Sequence, residues 1–224
     1  MESKAAGPLT FSKIRPGFLH LPDTQEWRDR ANEGRKHFKE QGIKNIFEVA
    51  GVHGKAWGIQ GRFIYLRDNP AEQLYLGDGK TAGVISHYIL YNVMKALPDE
   101  YFMVLEDDAR FVDGWKEKIE TALKDVPKDF DFLFVGSCCA EDKQPKRIKG
   151  DIYYYPHRPE HPDWYPQSGF CYIVAKKCLQ HLIDTQRTTA DPVDVGLIYR
   201  AFPKMKVYAI LPRLADQGDT PLPR

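Results

Sequence analysis

Long apolar runs are missing from this sequence. None approaches the roughly 18 residues that a membrane-spanning helix needs, so no transmembrane segment is expected. Met1-Glu2-Ser3-Lys4 has no apolar stretch behind it, so no signal peptide is expected either, and the location expected is cytoplasmic. An excess charge of one sign is also missing. Thirty-two basic residues face 31 acidic ones, a net charge of +1, which gives no global pull toward nucleic acid or a membrane surface. Cysteine is scarce. The four present are Cys138, Cys139, Cys171 and Cys178, without the C-x-x-C spacing of a zinc site. They read as reduced thiols of the core. Internal repeats and low-complexity tracts are absent as well.

What remains is ordinary globular composition, 42% hydrophobic and 28% charged. At 224 residues the chain fits one domain with a sizeable core. Its boundaries are expected at 13–217, with a loose segment at 1–12 and a tail at 218–224.

Strand and helix signals alternate. Gly17-Phe18-Leu19-His20-Leu21 is expected as a first strand. Asp23 and Glu26 have capping-box spacing; Trp27, Ala31, Gly34 and Phe38 then follow a helical period that Gly42 would close. Ile46-Phe47-Glu48-Val49-Ala50 is a second strand. The stretch 51–80 is glycine-spaced and harder to assign, with one short strand or helical piece at Phe63-Ile64-Tyr65-Leu66. Thr81 to Leu97 is a helix apolar nearly all round, hence buried. Tyr101 to Leu105 is an apolar strand, Gly114 to Asp125 an amphipathic helix, and Phe130 to Gly136 a buried strand. The charged stretch from Glu141 to Gly150 is expected as a surface loop. Strands at Asp151–Tyr155 and Ser168–Val174, a helix at Ala175–Thr185, a helix opened by Pro192 and a strand at Lys206–Leu211 follow. From Pro212 the chain is expected to be irregular. Alternating strands and helices imply an α/β sheet.

Four clusters carry chemistry. The strand at 101–105 runs into Glu106-Asp107-Asp108. Three acids at a strand end are either a solvated turn or a site for a hard divalent cation such as Mn²⁺ or Mg²⁺. If extended geometry continues, Glu106 and Asp108 share a face and Asp107 points away. Ser86 and His87 interrupt the apolar helix, either hydrogen-bonded within the core or facing a cleft. Asp191-Pro192-Val193-Asp194 opens a helix: Asp191 suits a cap, and Asp194 suits the first turn or the work of a general base. His157, His161, Asp163, Trp164 and Tyr165 lie on a proline-broken stretch that suits a solvated loop or aromatics packed on a sugar or base better than a zinc site.

Taken in order, these pieces resemble glycosyltransferase family 25, the lipooligosaccharide β-galactosyltransferases and collagen galactosyltransferases. The resemblance rests on Phe18-Leu19-His20-Leu21, on Trp27-Arg28-Asp29-Arg30, and on Ala50-Gly51-Val52-His53-Gly54. It continues through Gly83-Val84-Ile85-Ser86-His87, Leu105-Glu106-Asp107-Asp108, Gly169-Phe170-Cys171-Tyr172-Ile173-Val174, Pro192-Val193-Asp194, and Val207-Tyr208 with Pro212 and Gln217. It implies a GT-A type, Rossmann-like α/β fold with a mixed, mainly parallel central sheet flanked by helices. It also implies a nucleotide-sugar donor, commonly UDP-galactose or UDP-glucose, Mn²⁺ or Mg²⁺, an inverting mechanism, and a hydroxyl acceptor on a glycan such as lipopolysaccharide core. Under it, Glu106 and Asp108 would hold the metal. Glu48, Val49, Ala50, Ser86, His87, Glu106 and Asp107 would serve the donor, and Asp194 would be the base.

Two other functions fit the same residues. Arg28, Arg30, Arg35 and Lys36, with the basic stretch Lys143–Lys149, could track DNA phosphates in an enzyme that glycosylates hydroxylated bases, a reading the near-neutral charge disfavours. A nucleotide-sugar-binding module without turnover is the other.

Overall fold

A computed structural model describes residues 7–56, 58, 62–65, 73–138, 143, 145–158, 165–187 and 191–218, with 62–65, 73–76, 78, 167 and 168 described by backbone alone. In chain order the strands and helices are β1 (Ile14–His20), α1 (Gln25–Glu40), β2 (Phe47–Ala50), β3 (Arg62–Tyr65), β4 (Gln73–Leu76), α2 (Asp78–Ala96), β5 (Tyr101–Glu106), β6 (Ala109–Phe111), α3 (Trp115–Leu123), β7 (Phe132–Cys138), β8 (Lys146–Lys149), β9 (Ile152–Tyr155), β10 (Gln167–Ala175), α4 (Leu179–Arg187), α5 (Val193–Gly196), β11 (Val207–Ile210) and β12 (Ala215–Gln217).

Eight strands form one sheet in the order β2-β1-β5-β10-β7-β11-β9-β8. β2, β1, β5, β7, β11 and β8 run one way; β10 and β9 run against them. The sheet is thus mixed with one dominant direction. Its central strands are buried on both faces, which is why they read as continuous apolar runs rather than alternating ones. The alternation of faces is still visible in the packing. Phe102, Val104, Phe132, Phe134, Tyr172 and Val174 pack toward α2 and α4. Met103, Leu105, Leu133, Val135, Cys171 and Ile173 pack toward α1 and α3 on the other side.

β1 is the pivot of the topology. α1 leads from it to β2 on one side, and α2 returns the chain to β5 on its other side. Strand order reverses there, and in open α/β sheets the crevice outside the carboxyl ends of such strands is where ligands bind. Those ends are His20, Ala50 and Glu106.

Several boundaries differ from the sequence expectation. β1 begins at Ile14 and contains Pro16; the proline is tolerated because pairing with β2 starts only at Gly17. Thr24, not Asp23, caps α1, its Oγ1 accepting from Trp27 N–H at 3.3 Å. Gly42 does close that helix, with φ of +62°. Lys146–Lys149 is a strand, not a loop: β8 is the sheet edge, exposed at all four positions, and its lysines keep a bare edge from pairing with other chains. The stretch after Pro212 is not wholly irregular, since Ala215–Gln217 pairs antiparallel with β6. At the other end, Phe11 is packed on Trp115 at 5.3 Å.

Candidate active site

Strand β5 stops at Glu106, and Asp107 and Asp108 form the turn into β6. The alternation expected of an extended strand therefore ends at Glu106, and the three acids divide differently. Asp107 and Asp108 share one partner, Arg30 of α1, which is 5% exposed. Its Nε donates to Asp107 Oδ1 at 2.8 Å and its Nη2 lies 2.9 Å from Asp108 Oδ2. Asp108 Oδ2 also accepts from Gln217 Nε2 at 2.8 Å, and Gly218 N–H donates to the Asp108 carbonyl at 2.8 Å. Burial pushes the Asp107 carboxyl up to about 6, against the pull of Arg30 and with the push of Asp108 and Glu106. Gly34 lets α1 approach this turn; a Cβ there would stand 3.2 Å from the Asp107 carbonyl oxygen.

Glu106 turns the other way, toward α2. Its Oε1 is 3.2 Å from His87 Nε2, and its side chain is 32% exposed, against 6% for His87. Both line a cavity of about 200 Å³ with Gly83, Gly169, Tyr172, Val193, Asp194 and Leu197. Three sequence-predicted residues, Glu106, His87 and Asp194, thus meet at one cavity. Gly83 and Gly169 leave room in the wall. Asp194 lies in the first turn of α5, where its Oδ1 accepts from Val195 N–H at 2.9 Å. Asp191 is not a cap: Arg200 donates to it from Nε at 2.9 Å and lies 2.8 Å away through Nη2.

The remaining predicted donor residues have other commitments. Val49 is a core residue, 6% exposed. Glu48 takes three contacts from Arg35, between 2.7 and 3.2 Å, and one from His20 at 3.2 Å; the Arg35 hydrogen bonds hold its carboxyl below the usual range. Ala50 is exposed at the strand end. Ser86 braces the loop after β2: Val52 N–H donates to its Oγ at 2.8 Å, and the hydroxyl donates to Ala82 O at 2.8 Å. Tyr165 is a core residue, 1% exposed, hydrogen-bonded to Phe202 O rather than presented to a sugar. His157 is exposed; His161, Asp163 and Trp164 lie outside the described residues, as do Cys139 and much of 57–72. Cys171 and Cys178 are free and buried, and Cys138 is free and partly buried. Burial pushes the Cys178 thiol up to about 12.

Of the basic residues that could track phosphates, Lys146, Arg147 and Lys149 are exposed on β8, and three arginines have partners within the chain. Arg30 holds the acids, Arg35 holds Glu48, and Arg28 donates to the Pro22 and Asp23 carbonyls.

Sequence reasoning missed Arg30 as part of the site. A signal was present: Arg30 stands on the stripe of Trp27, Ala31, Gly34 and Phe38, where a charge needs a buried partner. Its guanidinium also lies 5.3 Å from the Trp27 ring.

Among the described residues no three His, Cys, Asp or Glu side chains converge on a metal position. Carboxylate oxygens are nevertheless the kind of ligand that a hard divalent cation takes. Asp108 Oδ1 is buried with no hydrogen-bond partner, and Glu106 is partly open to the cavity. No described helix is long and apolar enough to cross a membrane.

Residues 27–156 match the family described as Glycosyltransferase family 25 (LPS biosynthesis protein). No curated protein sequence matches the chain. In fold it is similar to a glycosyltransferase involved in the glycosylation of the major capsid of PBCV-1, with a TM-score of 0.52, 11% identity and 93% and 94% of the two chains covered. It is also similar to A197 from STIV, with a TM-score of 0.48, 8% identity, and 90% and 83% covered. The inositol-1-phosphate CTP transferase from T. maritima gives 0.45 and 9%, with 92% and 87% covered. The α/β sheet with helices on both faces is of GT-A type.

Proposed function

The chain belongs to glycosyltransferase family 25 and is a glycosyltransferase; we propose that it moves a hexose from a nucleotide sugar to a hydroxyl of a glycan such as lipopolysaccharide core. The observation that carries this reading is the convergence of Glu106, His87 and Asp194 on one cavity beside the Arg30-held acidic turn.

The donor is a UDP-hexose, galactose or glucose, and transfer is inverting. Asp194 takes the proton of the acceptor hydroxyl. The acceptor oxygen bonds to the anomeric carbon as the bond from that carbon to the phosphate oxygen breaks, and the nucleoside diphosphate leaves with the bonding pair. Glu106 and Asp108 would hold Mn²⁺ or Mg²⁺, which supplies Lewis-acid neutralisation of the departing diphosphate. Asp107, paired with Arg30, keeps the turn in place. Ser86 keeps the loop after β2 in place. The setting of such an enzyme would be the cytoplasm, where nucleotide sugars are made.

A panel of nucleotide sugars, each with and without Mn²⁺ and with glycan acceptors, tests this by nucleotide release. Release from one UDP-hexose, dependent on metal and raised by acceptor, is the expected result. Nucleotide binding by calorimetry without release under any acceptor would instead identify a binding module.

A further inference from the structure

Behind the cavity a hydrogen-bonded chain runs into the core. Glu106 Oε1 lies 3.2 Å from His87 Nε2, His87 Nδ1 lies 3.2 Å from the Tyr172 hydroxyl, and that hydroxyl lies 2.8 Å from the Tyr91 hydroxyl. Only one of these groups has a fixed polarity. An ionised carboxylate accepts and cannot donate, so His87 Nε2 must carry a proton. In the neutral ring Nδ1 is then an acceptor, and the one donor in contact with it is Tyr172. Tyr172 has spent its proton on His87, so its oxygen accepts from Tyr91. The chain is ordered end to end: Tyr91 to Tyr172 to His87 to Glu106.

The surroundings make this order rigid. Both tyrosines are fully buried, and burial holds both phenols well above their ordinary range, so they remain donors. The Tyr172 ring is stacked on Phe132, with centroids 4.5 Å apart and planes 19° apart. His87 and Tyr91 lie one helical turn apart on α2, with ring centroids at 5.8 Å.

We propose that Tyr172, backed by Tyr91, is a positioning residue: by donating to Nδ1 of the Nε2–H tautomer that Glu106 requires, it fixes the His87 ring and so holds the Glu106 carboxylate in one orientation at the cavity wall. Tyrosine is required here because phenylalanine would fill the same space and keep the stack while supplying no proton to Nδ1. The effect on transfer rests on the donor-side role given to Glu106 above; the hydrogen bond from Tyr172 to Nδ1 does not.

Nitrogen-15 NMR of the histidine side chains, in mildly alkaline buffer and without nucleotide, reads the tautomer directly. The intact protein should show His87 as a single Nε2–H species. Tyr172→Phe should keep that tautomer, move the Nδ1 signal to that of an acceptor nitrogen without a hydrogen bond, and lower kcat about 10-fold to 100-fold as loss of an orienting partner does. An Nδ1–H signal in the intact protein would overturn the proposal with no variant needed, and so would an unmoved Nδ1 signal in Tyr172→Phe. Tyr91→Phe, which leaves Tyr172 in place, is the second variant should Tyr172→Phe not fold, and a smaller movement of the Nδ1 signal in the same direction is expected there. A moved Nδ1 signal with unchanged turnover upholds the hydrogen bond from Tyr172 and counts against the donor-side role of Glu106.

Discussion

Arg30 Nη2 stands 2.9 Å from Asp108 Oδ2, with both side chains about 95% buried. The same guanidinium reaches Asp107, so one cation from α1 sets the shape of the acidic turn at the end of β5. Replacing it leaves two buried carboxylates without their counter-charge. Arg30→Ala should cost about 3–5 kcal/mol of folding stability, measured by urea titration. Arg30→Lys keeps the charge but loses the fork that joins two carboxylates; it should fold, with nucleotide release reduced. Wild-type stability in Arg30→Ala would show that the pair is not what holds the turn.

Asp194 shares the cavity with Glu106 but has no part in the Arg30 cluster. Asp194→Asn should therefore leave UDP affinity intact by calorimetry and lower turnover by about 10²–10⁴-fold. Normal turnover would place the base elsewhere.

His37 gives the pH dependence. Phe111 N–H donates to its Nε2 at 3.0 Å, and burial, followed by the Arg110 charge, lowers its pKa below 6.5. A folded-state pKa below the unfolded one means that the unfolded chain takes up the proton first. His37 thus contributes stability that is present above pH 6.5 and lost as pH falls through the folded value. Comparison of urea midpoints at neutral and mildly acid pH should show a steeper acid loss for the intact protein than for His37→Gln. Parallel curves would exclude His37 as the cause.

Gly34 offers a test in which helix propensity and packing oppose each other. Alanine in mid-helix is favoured over glycine by about 1 kcal/mol. Here the new Cβ would meet the Asp107 carbonyl oxygen at 3.2 Å and Phe18 Cζ at 3.3 Å. Gly34→Ala should lower the Tm, since crowding of this kind costs about 1–3 kcal/mol. It should also reduce nucleotide release by moving the acidic turn. A raised Tm would mean that α1 has room to shift.

Val49→Ala separates core from donor contact. The Val49 side chain lies in the core cluster on the α2 side, so truncation should cost about 1–3 kcal/mol of stability. UDP affinity per folded molecule should not change. A selective loss of affinity would return Val49 to the donor site.

Much of this architecture is legible in the residues. The 3.6-residue stripes of α1, α2 and α3 and the apolar runs of β5, β7 and β10 announce themselves because burial imposes a period. Of the acids after Leu105 only Glu106 meets His87 and Asp194 at the cavity; Asp107 and Asp108 turn to Arg30. What escaped has physical reasons. Thr24 and Asp23 are adjacent and equally able to cap. β8 is exposed on both faces, so burial imposes no alternation on Lys146–Lys149. β6 and β12 have three residues each, too few for a period. Tyr165 sits in a proline-broken aromatic stretch that reads as surface. Arg30 escaped because a buried cation is explained only by its partner, and the Asp107 it holds is 77 residues away.

That separation bears on how the enzyme fails. Asp108 is also tied to Gln217, 109 residues further along the chain. Neither contact is local, so neither can form in a fragment or in a helix and strand folded alone. The acidic turn is set only when α1, β5 and the β6–β12 ladder are all in place. Inactivation and global unfolding should therefore share one midpoint, and a partly unfolded population should contribute no residual transfer.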